Sequence, residues 1–181
     1  MYLDEILKRA PEATRRTQKP YGWRVRVPFK GVNEQVGVIP DKIFGLEFLD
    51  RGDAPNKMYF FLEVDRGTMP ATRKELRQTS FLRKLLGYAY TLREGIHTKH
   101  YGMRRVRALT VTKSAERVQS FVGGYGREVK NICPPSVFLF ADKETLERDG
   151  PLGLLWTDGN GERVRVVPDD CAAARPVPSS A

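Results

Sequence analysis

Three carboxylates, Asp41, Glu63 and Asp65, carry the strongest chemical signal in the chain. Glu63 and Asp65 close the apolar run Met58-Tyr59-Phe60-Phe61-Leu62, and Asp41 follows Pro40 about twenty residues earlier. Residues two apart on a strand point to the same face, so if Asp41 ends a neighbouring strand the three acids converge at one sheet edge. Unpaired, they would repel and take up protons, so such a cluster normally persists because a cation or a basic side chain neutralises it. Mg²⁺ or Mn²⁺ suits carboxylate and water oxygens, bridges to phosphate and activates a bound water, which makes phosphodiester hydrolysis the natural reaction class. The alternative is structural: Asp41 caps a turn, while Glu63 and Asp65 pair with Arg66, Arg73 or another surface base.

Charge narrows the choice of partner. The chain carries a net +9 over 181 residues, and Arg73 to Arg107 holds ten Lys or Arg against two acids. Residues 142 to 170 run the other way, with four bases and eight acids. A basic middle beside an acidic C-terminal section predicts one positive face suited to a polyanion such as DNA. A solvated basic helix would give the same composition. Two cysteines, Cys133 and Cys171, with one histidine pair, His97 and His100, supply neither a disulfide framework nor a four-ligand zinc site. His97 and His100 read as solvent-facing residues of a basic loop rather than a metal pair. No run reaches the roughly 18 to 20 apolar residues of a membrane span, and the charged start Asp4-Glu5-Ile6-Leu7-Lys8-Arg9 has no signal-peptide core. A cytoplasmic location is the expectation.

The elements that must position the acids follow from hydrophobic period. Leu3 to about Arg16 predicts a short or broken helix ending near Pro11. Trp23-Arg24-Val25-Arg26-Val27-Pro28-Phe29 alternates apolar and basic residues, a strand with two arginines outward. Asp41 to Phe48 and Lys57 to Asp65 read as antiparallel strands joined through the turn formers 50–56, with the second strand apolar on both faces and in the middle of the sheet. From Ser80, the series Phe81, Leu82, Leu85, Leu86, Ala89, Leu92 and Ile96 has helical spacing. Arg105 to Thr112 predicts a strand, Ser114 to about Val122 a short helix capped by Ser114, and Ser136 to Ala141 a buried strand. The glycine-rich Gly123-Gly124-Tyr125-Gly126 reads as a flexible connection. Leu152 to Thr157 and Glu162 to Val167 flank Asp158-Gly159-Asn160-Gly161 as a hairpin, and Ala172 to Ala181 reads as a disordered tail.

Three strings, Ile39-Pro40-Asp41-Lys42-Ile43-Phe44-Gly45-Leu46, Tyr59-Phe60-Phe61-Leu62-Glu63-Val64-Asp65-Arg66-Gly67-Thr68 and Phe81-Leu82-Arg83-Lys84-Leu85-Leu86-Gly87-Tyr88, resemble the replication-relaxation family of plasmid and mobile-element proteins. That family is similar to the PD-(D/E)XK, or restriction-endonuclease-like, nuclease superfamily. The resemblance covers roughly residues 20 to 141. It implies an α/β fold with an αβββαβ core, a central mixed sheet flanked by helices. It also implies that Asp41 is a metal-binding aspartate and Glu63 the acid of the second motif. Asp65 stands where an active nuclease usually has a lysine. Lys84, four residues before Tyr88 on one helical face, is the candidate substitute, although an ordinary exposed helix lysine would look the same. A helical acid recurs in the superfamily, and Glu5 and Glu12 are the residues available for it.

The chain thus divides into an N-terminal helical segment (1–19), a nuclease-fold domain (20–170) and a tail (171–181). Family members often carry a winged-helix region before the core, and only about twenty residues precede the first strand, so a shortened member or a core domain alone is expected. DNA binding then falls to Arg24, Arg26, Arg73, Lys74, Arg77, Lys84 and Tyr88. Two functions remain open. One is a Mg²⁺-dependent DNA endonuclease with Asp41, Glu63 and Asp65 on the metal and Lys84 assisting the water. The other is a catalytically inactive DNA-binding or protein-docking module in plasmid replication or mobilisation, with replication or mobilisation proteins as partners. Whether cleavage would give nicks or double-strand breaks turns on whether the chain forms a homodimer.

Overall fold

The computed structural model describes residues 22–48, 57–67 and 80–167. The expected N-terminal helix, the turn at 50–56, Arg73, Lys74, Arg77, Cys171 and the tail lie outside the described residues.

Among the described residues the chain forms a mixed α/β fold with two sheets. Strands β1 (Trp23–Phe29) and β2 (Val32–Val38) make an antiparallel ribbon. A six-stranded mixed sheet has the order β3 (Lys42–Glu47), β4 (Lys57–Asp65), β5 (Val106–Thr112), β6 (Phe138–Asp142), β7 (Trp156–Asp158), β8 (Arg163–Val164). The helices are α1 (Phe81–Arg93), α2 (Ile96–Tyr101), α3 (Ala115–Glu128) and α4 (Lys143–Gly153). The crossovers through α1 and α3 leave β4, β5 and β6 mutually parallel, while β3 runs antiparallel to β4. The helices of two such units must cover the sheet, because parallel strands are apolar on both faces.

Period-two alternation sorts the central strands between two cores. Tyr59 and Phe61 of β4, Val106 and Ala108 of β5, and Phe138 and Phe140 of β6 face α1 and α3. Met58, Phe60, Leu109, Val111, Leu139 and Ala141 face the opposite side with Leu154 and Trp156. On β1 the arginines are exposed and Trp23, Val25 and Val27 are buried, as their alternation predicts. The ribbon lies against α1: a Cβ added at Gly87 would meet Val38 Cγ2 at 2.8 Å and Val36 Cγ1 at 3.2 Å, so glycine is what permits this approach. Trp23 joins the layers, donating its indole N–H to Thr91 Oγ1 at 2.7 Å with its ring 5.3 Å from that of Phe61.

Several expectations change in detail. Helix α1 starts at the Ser80 cap, whose hydroxyl accepts from Arg83 N at 3.2 Å, but it stops at Arg93 because Gly95 adopts a left-handed φ of 67°. Ile96 opens α2 instead, so His97 and His100 are helical, and His97 is buried with Nδ1 3.3 Å from the Thr91 carbonyl. The glycine-rich segment is not a connection. It lies inside α3, where Phe121 and Tyr125 are fully buried and Gly124 is buried against Leu85. The strand β2 and the helix α4, which begins at the Asp142 cap, are additional elements. The hairpin is present, tightened by Asp158 Oδ1 accepting from Asn160 N at 2.8 Å and Glu162 N at 3.0 Å.

Candidate functional site

Glu63 and Asp65 lie at the C-terminal end of the parallel strand β4, the edge where open α/β sheets place their ligands, and Asp41 arrives there just before the antiparallel β3. Asp41 immediately precedes β3, and Lys42 pairs with Leu62, so Asp41 comes opposite Glu63. Two bonds fix it there: its N–H donates to the Leu62 carbonyl at 3.0 Å, and its Oδ2 accepts from Val64 N–H at 2.8 Å. Asp41 is exposed, whereas Glu63 is 2% exposed.

Glu63 and Asp65 share the face of β4 that looks onto α1 and α3, as the i, i+2 spacing requires, yet they go to different partners. Lys84 of α1 donates to Glu63 Oε2, and Tyr88, one turn later on the same helical face, donates to Oε1 at 2.5 Å. Burial raises the Glu63 pKa; Lys84 and the Tyr88 hydroxyl oppose that rise, and the negative charge of Asp41 adds to it. Asp41 therefore acts electrostatically on Glu63. Tyr88, raised well above its ordinary value by burial and then by Glu63, stays protonated and serves as a donor.

Asp65 is held by Arg117 of α3. The guanidinium makes a two-point contact, Nε to Oδ2 and an NH₂ group to Oδ1 at 2.9 Å, and Thr112 of β5 donates to Oδ2 at 2.8 Å. Burial pushes the Asp65 pKa up, but the bonds from Arg117 and Thr112 outweigh it and bring it below the usual aspartate value. Asp41 and Glu63 are thus neighbours, and Asp65 belongs to a separate ion pair. Among the described residues no three His, Cys, Asp or Glu side chains form a metal-binding group.

Of the residues expected to meet DNA, Arg24 and Arg26 are exposed on β1, and Lys84 is half-buried against Glu63. Tyr88 is 2% exposed and its ring stacks on Phe61 at 5.5 Å, which takes it out of any DNA-facing surface. Arg117 and Thr112 are the residues that sequence reasoning missed. The available signal was a basic residue one position before Val118 and four before Phe121, on the edge of the apolar stripe of α3. Among the described residues no helix is long and apolar enough to cross a membrane.

The replication-relaxation family model matches residues 4–106, more than half of the chain. That range includes Asp41, Glu63, Asp65, Lys84 and Tyr88, and stops before Arg117; it begins earlier and ends sooner than the expected 20 to 141. No curated protein and no solved structure matches the chain. The chain belongs to the replication-relaxation family, which makes it a replication-related protein of a plasmid or mobile element.

Proposed function

We propose that the chain is a Mg²⁺- or Mn²⁺-dependent DNA endonuclease of the PD-(D/E)XK type, with Asp41 and Glu63 as the metal-binding pair and Lys84 as the group beside the attacking water. What supports hydrolysis is one juxtaposition: an exposed carboxylate just before β3 comes opposite a buried one on the antiparallel strand β4, with a lysine from the following helix on the buried one.

The two carboxylates fit a hard divalent ion. Glu63 accepts two hydrogen bonds and an ionised carboxylate has about four acceptor sites, so acceptor capacity is left over. Asp41 lies near enough to Glu63 to raise its pKa, in opposition to Lys84. Mg²⁺ ordinarily uses one or two carboxylates and completes its shell with water and phosphate, so a third acid is not required. Bound there, the ion would neutralise charge on a phosphodiester oxygen and lower the pKa of water. Lys84 has three N–H donors and gives one to Glu63, leaving others to orient water or stabilise a developing oxyanion. Tyr88 fixes the other oxygen of Glu63, so the carboxylate keeps one orientation. Asp65, an acceptor engaged by Arg117, holds α3 to the sheet and is a positioning residue.

A second reading, a non-catalytic DNA-binding or docking module in replication or mobilisation, draws support from the same residue. Asp65 occupies the usual lysine position and is fully committed to an ion pair. Supercoiled and linear DNA incubated with Mg²⁺ or Mn²⁺, using wild type, Asp41→Ala and Glu63→Ala, tests the first reading. Cleavage by wild type alone supports it, and equal cleavage by all three proteins ends it. DNA retention without cleavage supports the second reading.

A further inference from the structure

Arg24 and Arg26 project outward from β1, two residues apart and therefore about 6.8 Å apart on one face. They do not look onto bare solvent. Arg93, at the last turn of α1, and Lys99 of α2 line the same open groove, about 560 Å³ in volume, with His100 at its wall. Four fixed cations thus share a space far larger than one ion needs. Among the described residues the only acid in its lining is Glu94, whose backbone carbonyl accepts from Lys99 Nζ at 3.1 Å. The Arg93 guanidinium lies 5.1 Å from the ring centroid of the buried Tyr90, a cation–π contact that limits its motion.

We propose that this groove seats the sugar–phosphate backbone of a DNA strand, at a place distinct from the Asp41–Glu63 pair. Arg93 lies nine residues beyond Lys84 on α1, about 13.5 Å along the helix axis, so the two regions occupy opposite ends of one helix. An open groove far larger than one ion, with cations from three elements, matches an extended polyanion better than a compact anion. Its donors are Arg and Lys, which bind phosphates, and its one tyrosine is buried beneath Arg93, so contact is with the backbone and tolerates any sequence. DNA is chosen among polyanions because it is the substrate of the reading above. The groove also gathers the charge differently from the basic stretch as a whole: it joins the two β1 arginines to Arg93 and Lys99, and leaves Lys84 with Glu63.

Fluorescence anisotropy of the full chain with a labelled DNA strand of about 20 bases, alone and in duplex, tests the groove in EDTA across a NaCl series. Wild type is expected to bind at least one form, with log K falling linearly against log salt. Arg24→Gln with Arg26→Gln should weaken binding at least about tenfold and lower the slope by about two. Arg93→Gln with Lys99→Gln should act in the same direction. Circular dichroism melting confirms that each variant is folded. Wild-type affinity and slope in both double variants, or no binding of either DNA form by wild type, would overturn the proposal. Because no metal is present, loss of cleavage in Asp41→Ala and loss of binding in the groove variants report on the two sites separately.

Discussion

Lys84 meets Glu63 across the gap between α1 and β4, its ammonium donating to a carboxylate that is otherwise shut away from water. The contact joins the helix to the strand end where Asp41 also arrives, and it opposes the rise that burial gives the Glu63 pKa.

Lys84→Met should therefore destabilise the fold. Breaking a buried pair costs about 3 to 5 kcal/mol, and the 29% exposure of the Lys84 side chain lowers the expectation to about 2 kcal/mol. In a Glu63→Gln background the same substitution should cost much less. Urea unfolding of the four proteins of the cycle measures the coupling, and additive effects would contradict it.

Tyr88→Phe removes one donor to Glu63 and keeps the ring on Phe61. A loss of about 1 to 3 kcal/mol is expected, the cost of a hydrogen bond to a charged group. Thermal melting reads it directly. A variant as stable as wild type would mean that the hydroxyl does not hold Glu63.

The Asp65–Arg117 pair predicts an acid limb in stability. With the Asp65 pKa below its ordinary value of 3.8, the folded state binds this proton less readily than the unfolded chain. Its contribution is fully present above about pH 4 to 5 and is lost as pH falls through the folded value. Asp65→Asn should lower stability at neutral pH and flatten that limb, as followed by urea midpoints between about pH 2 and 7.

His97 predicts a second, milder limb. Burial lowers its pKa below the ordinary 6.5, and the Thr91 carbonyl partly offsets this. Stability should be insensitive to this group above about pH 6.5 and fall as pH drops through the folded value, because the unfolded chain takes the proton first. His97→Gln should remove that part of the slope, leaving the limb due to Asp65.

Gly87→Ala sets helix propensity against packing. Alanine gains up to about 1 kcal/mol in a helix, while forcing a methyl into a filled contact costs about 1 to 3 kcal/mol. With Val38 Cγ2 only 2.8 Å from the added Cβ, net destabilisation is expected, and Val38→Ala in the same chain should relieve it. A rise in melting temperature for Gly87→Ala alone would show that the ribbon yields freely.

Much of the fold was legible where side chains repeat with a clear period. Trp23, Val25 and Val27 marked β1, and the apolar run ending at Glu63 marked an interior strand. Strand β2 escaped because only Val36 and Val38 of its seven residues are fully buried. Helix α4 escaped because none of its residues is buried and Gly150-Pro151 interrupts it. In α3 the buried Phe121 and Tyr125 outweigh the weak helix propensity of the glycines between them, a tertiary effect invisible to local composition. At the site, Glu63 with Asp65 and Lys84 with Tyr88 each followed from spacing along one element. Arg117 did not, because its contact with Asp65 joins residues 52 apart in sequence.

The two-stranded ribbon acts as a buttress. Val36 and Val38 sit in the notch that Gly87 leaves, and Trp23 is bolted to Thr91 one turn further on, so α1 has little freedom to slide lengthwise or roll. The ammonium it carries consequently arrives at β4 at a single height, and the β1 arginines are clamped to that same beam.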